Sequence, residues 1–171
     1  MFLLETVAPE AAKGLIADLY AKFPPEIGVP KTLQLMSASP GLMERHLQVI
    51  DYFRNHKRLS PEFFTALRYS VAAKVGHAAC EVFNRGILSR MGLEDERIRR
   101  LECDPTAAGL DKEEEQLLHF VHKVVDEPAS VTEKEVKALR SLGFSDADIL
   151  DACSAAANMV ASSVLFKAFI R

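Results

Sequence analysis

Apolar positions along this chain recur at intervals of three and four residues, the spacing of one helical face, and nowhere alternate as strands do. Leu15, Ile16, Leu19, Tyr20 and Phe23 form the first such series. Pro9 is placed to open that helix, because a proline in the first turn gives up no hydrogen bond. The stretch from Phe23 to Pro30 is rich in proline and breaks the helix into a connector. A short helix carrying Leu33, Leu35 and Met36 follows. Ser39-Pro40 and Ser60-Pro61 each join a capping residue to a proline, and predict the starts of two longer helices. The first carries Met43, Leu47, Ile50 and Phe53; the second carries Phe63, Phe64, Leu67 and Val71. Gly76 is a C-terminal stop, and a new helix begins near His77 and ends before Gly92.

Further on, a short charged helix is expected from Asp95 to Leu101 and a longer one from Asp111 to Asp126, ending before Pro128. Thr132 with Glu135, and Ser145 with Asp148, have the spacing of capping boxes around a stop at Gly143. The last helix leaves little polar face between Ile149 and Phe169. A helix apolar nearly all round is buried by its neighbours or by a subunit partner. The expectation is one all-α domain over residues 1–171, of about eight helices.

Composition narrows the function classes. Hydrophobic residues make up 49% and charged residues 26% of 171, as in a folded globular chain. The net charge is -3, and beyond Arg97, Arg99 and Arg100 the basic residues are dispersed, so no nucleic-acid role is expected. Met1-Phe2-Leu3-Leu4-Glu5 lacks the basic start of a signal peptide. No apolar run approaches the roughly 18 residues that a membrane span requires. The cysteines are Cys80, Cys103 and Cys153, an odd and irregularly spaced set that fits neither a disulfide framework nor a zinc motif. A cytoplasmic protein with reduced thiols, without metal or cofactor, is the expectation.

Chemistry concentrates between Ser60 and Gly92. His77-Ala78-Ala79-Cys80 opens a helix directly after the Gly76 stop, which puts the thiol in the first turn. Helix-end N–H groups favour a thiolate there. His77, three residues earlier, can share the helix face and favour it further if protonated. The plain alternative is a buried cysteine acting as a small hydrophobe. His119 and His122 share a helix face, but no third metal ligand is placed. Arg68 and Tyr69 lie on the preceding helix and could line a pocket, although an exposed Arg and an amphipathic Tyr need no such role. Cys103 reads as an incidental loop thiol, and Cys153 as core.

The helix–turn–helix with a thiol at the second N-terminus resembles the core of the alkylhydroperoxidase AhpD-like (carboxymuconolactone decarboxylase) family, which carries Glu-x11-Cys-x-x-Cys-x-x-x-His. The likeness extends to residues 16–53, with Val29-Pro30 and Ser37-Ala38-Ser39-Pro40, and to the closing pair over 131–169 with its Gly-Phe-Ser-Asp turn. Cys80 matches the second motif cysteine. His77 stands at the first, Asn84 at the histidine and Thr65 at the glutamate. In the family the second cysteine attacks peroxide, the first closes a disulfide that a dithiol reduces, and Glu and His relay the proton.

The resemblance with these departures implies a thiol-dependent oxidoreductase of peroxidase type, using one cysteine. Its site residues are Cys80, His77, Asn84 and Thr65. Its partners are a small-molecule substrate (a peroxide or small organic acid) and an external thiol reductant. It also implies a homo-oligomer, a trimer or hexamer. The alternatives are a non-redox, decarboxylase-like pocket enzyme and a non-catalytic oligomeric binding or structural protein of the same fold.

Overall fold

Four helices begin at a side chain that caps them, Ser60, Asp111, Thr132 and Ser145. A computed structural model describes residues 1–171 as nine α-helices: α1 (Gly14–Tyr20), α2 (Lys31–Met36), α3 (Pro40–Arg54), α4 (Pro61–Lys74), α5 (Ala78–Arg90), α6 (Asp95–Arg100), α7 (Lys112–Asp126), α8 (Glu133–Ser141) and α9 (Asp146–Phe169). One short 3₁₀ turn, at Pro9–Ala11, precedes α1, and two more, at Pro105–Ala108 and Pro128–Ser130, lie between α6 and α7 and between α7 and α8. The all-α expectation holds, with one more helix than the expected eight. The termini add a single antiparallel bridge between Phe2 and Ile170.

The capping boxes form at Thr132–Glu135 and Ser145–Asp148, as their spacing predicts. Two starts differ from expectation. Pro9 opens only a 3₁₀ turn, and α1 begins five residues later, because Lys13 is extended and Gly14 adopts a left-handed φ of 54°. Pro40 does open α3, but the Ser39 side chain makes no capping bond. At α4 the Ser60 hydroxyl accepts from the Phe63 N–H. Buried Glu114, from α7, accepts in turn from the Ser60 N–H and hydroxyl at 2.7 and 2.8 Å. A carboxylate from the first turn of α7 thus clamps the start of α4.

Helix α4 is the centre of the main core. Phe63, Phe64, Leu67, Tyr69 and Val71 cover several of its faces and are all buried. Helices α5, α7 and α9 pack around it. Burying each such side chain contributes on the order of 1.5–3 kcal/mol, so the surface of α4 demands neighbours on all sides. A second, smaller core joins α1, α2 and α3 through Leu19, Tyr20, Leu33, Met43 and Leu47.

Helix α9 corrects one sequence expectation. By length and composition it is apolar enough to cross a membrane, although no run looked long enough. In the fold it packs on α2, α4 and α7 through Ile149, Ala152, Ala155, Ala156 and Met159.

Candidate active site

The turn between α4 and α5 builds the site. Gly76, at a φ of 64°, lets α4 end in a Schellman motif: the His77 N–H donates to the Ala72 carbonyl and the Gly76 N–H to the Ala73 carbonyl. His77 then serves as N-cap residue of α5. One glycine therefore delivers His77 into the crossing of two helices, where it is 1% exposed. Its ring packs against Phe166 of α9, with centroids 4.6 Å apart.

From the first turn of α5, the Cys80 Sγ lies 3.2 Å from the His77 Nε2. It also lies 3.5 Å from the Thr32 Oγ1 of α2. The sulfur is half-buried. The His77 Nδ1, by contrast, is buried and has no hydrogen-bond partner. The pairing inferred from spacing is thus present, but its electrostatics differ from expectation. Burial pushes the Cys80 thiol above its ordinary value, against the lowering effects of the Thr32 hydrogen bond and the Arg68 charge. Burial likewise pushes His77 below its ordinary value, with the Lys167 charge adding to the effect. A helix end is worth about 0.3–1 kcal/mol to an anion and works against this burial. Both shifts favour the uncharged forms, thiol at Cys80 and imidazole at His77.

Thr65 and Asn84 are both buried, and both turn toward one group outside the predicted site set. The Arg68 Nε donates to the Asn84 Oδ1 at 3.2 Å, and its Nη2 donates to the Thr65 Oγ1 at 3.3 Å. The Asn84 amide donates to the Cys80 carbonyl at 2.7 Å, tying the guanidinium to the turn that holds the sulfur. The Thr65 hydroxyl donates to the Pro61 carbonyl. Arg68 is half-buried and at the centre of the cluster. Burial lowers it to about 10, the like charge of Arg54 adds to this, and Cys80 acts in the opposite direction. All four predicted residues are therefore brought together, and Arg68 and Thr32 complete the set. Arg68 carried a readable signal, since it stands one helical turn after Thr65 and would face the same way. Thr32 carried none, being 48 residues from its partner.

Thr32 also lines an apolar pocket of about 170 Å³, walled by Leu35, Met36, Leu42, Leu165 and Phe169. The remaining sequence candidates lie elsewhere. Cys153 lines an open groove with Phe120, Val124 and Val136, and burial pushes its thiol up to about 11. Cys103 is exposed after α6. His119 is exposed, whereas the His122 Nε2 meets the buried Ser70 hydroxyl at 2.9 Å. Tyr69 is buried and donates to Glu102.

No family model matches the chain, and no curated protein matches it. Solved structures do. One is described as the alkylhydroperoxidase AhpD core of an uncharacterized peroxidase-related protein from Ralstonia eutropha. It aligns with a TM-score of 0.82 at 17% identity, over 98% of this chain and 90% of that one. An uncharacterized peroxidase-related protein from a Silicibacter species aligns with a TM-score of 0.78 at 19% identity, over 98% and 88%. At these identities the likeness is one of fold: the chain has the all-α AhpD-like fold.

Proposed function

We propose that this AhpD-like chain reduces an organic hydroperoxide at Cys80, with His77 accepting the thiol proton. The observation that carries the reading is the 3.2 Å approach of the Cys80 Sγ to the His77 Nε2. The names of the structurally similar proteins agree with a peroxide substrate.

The steps start from the thiol and imidazole forms that burial favours at Cys80 and His77. The Cys80 proton passes to the Nε2, and the sulfur attacks the distal peroxide oxygen. The O–O bond breaks, leaving a Cys80 sulfenic acid and an alkoxide, which takes the proton back from His77 and leaves as an alcohol. An external thiol then condenses with the sulfenic acid, releasing water and forming a mixed disulfide. A second external thiol displaces Cys80 from it and restores the enzyme. Neither Cys103 nor Cys153 stands at the site to resolve the sulfenic acid internally. The apolar pocket that Thr32 also lines suits the hydrocarbon part of the substrate.

The decarboxylase-like alternative needs a pocket with free acid and base groups. The larger groove, beside Cys153, offers only Arg140 and Asp146, which neutralise each other in a bidentate pair. Consumption of cumene hydroperoxide with a dithiol reductant tests the proposal. Activity should be lost in Cys80→Ser and kept in Cys153→Ser; an unchanged rate in Cys80→Ser removes Cys80 from the mechanism.

A further inference from the structure

Arg68 is a half-buried guanidinium without an anion. Ion pairs occur elsewhere in the chain, and none includes Arg68. Its hydrogen bonds go to the neutral oxygens of Asn84 and Thr65, which occupy two of a guanidinium's five N–H donors. Of the charges acting on it, that of Arg54 is unfavourable and larger than the favourable one of Cys80, a thiol that burial biases toward its neutral form. Partly buried charges are ordinarily paired, because desolvating one alone is costly. The compensation missing within the chain points to an anion that arrives with a ligand. Asn84 and Thr65 hold the guanidinium plane beside the Cys80 turn, leaving the remaining N–H groups for a planar oxyanion.

We infer that the substrate of Cys80 carries a carboxylate close to its reactive atom, and that Arg68 binds this carboxylate. This rests on the thiol reading of the site and deepens it. Where the AhpD-like motif has its acid and histidine, this chain has two neutral groups orienting a cation. With no acid at Thr65 and a cation at Arg68, the charged group beside this turn is positive and favours an anionic ligand.

Charge-matched alkylation tests the inference without peroxide turnover, so it stands or falls apart from the peroxidase assay. Iodoacetate and iodoacetamide both form an S–C bond at Cys80 with loss of iodide, the thiol proton going to His77 or solvent. They differ in charge. Labelling of Cys80 is followed by mass spectrometry of its peptide, with exposed Cys103 as internal reference. The iodoacetate-to-iodoacetamide rate ratio at Cys80 should exceed that at Cys103 by about tenfold, the scale of one charge-assisted hydrogen bond. In Arg68→Gln it should fall to the Cys103 ratio, and Arg68→Lys should restore part of it. In the unaltered protein, acetate at constant ionic strength should slow iodoacetate and leave iodoacetamide unaffected, which keeps the test open if Arg68→Gln does not fold. Equal ratios at the two cysteines, or equal slowing of both reagents in Arg68→Gln, would overturn the inference; the latter would mean that Arg68 acts only on the sulfur.

Discussion

At Cys80 two local effects compete, and their sizes decide the outcome. The helix end and the imidazole are visible in the sequence as a position and a spacing. The desolvation that opposes them is not, because it depends on how α2, α4 and α5 close around the sulfur. The proximity of His77 is legible for that reason, and the burial that favours its neutral form is not. Asn84 and Thr65 are legible as positions in a motif, while the sequence leaves the Arg68 they orient open between a pocket and the surface. A measurable consequence concerns pH. Alkylation of Cys80 by neutral iodoacetamide should rise with a midpoint above the ordinary thiol value, since burial raises this thiol. The sign for folding is the same: the contribution is present below the unfolded thiol's value and is lost as pH rises through the raised one. A rate already at its plateau near neutral pH would show that the helix end wins after all.

Among the elements, the α4–Gly76–α5 hairpin was the most legible, because a proline start, a glycine stop and a helical period all agree there. The first helix was the least, since Pro9 supplies a start signal that the extended Lys13 cancels. Helix α9 was read as apolar nearly all round, and the fold accounts for only part of that. Leu150 is 68% and Val164 63% exposed, and Ala157, Ala161 and Ala168 are exposed on the same side. At 100° per residue these five positions fall within one narrow stripe. We propose that this face packs against further copies of the chain, as a trimer or hexamer, its small residues allowing close approach. Light scattering should give a multiple of the chain mass that Ala161→Glu reduces to a monomer. A monomer in the unaltered protein would exclude this.

For the molecule as a whole, the position of the site follows from its two cores. The small α1–α3 core lends Thr32, the main core lends Arg68, His77, Cys80 and Asn84, and α9 lends Phe166 against the imidazole. The order of helices was readable because caps and stops are local chemistry. The meeting of α2 with α5 was not, because it depends on tertiary packing between segments distant in sequence. The account rests on one sulfur giving its proton to one imidazole and its electrons to a peroxide. The most direct measurement is the rate at which a sulfenic-acid trap labels Cys80 after addition of an organic hydroperoxide, in the unaltered protein and in His77→Gln. Labelling at Cys80 that slows about 10²-fold or more in the variant, the usual range for losing a positioned base, is the predicted result. No labelling at Cys80, or equal rates in the two proteins, would contradict it.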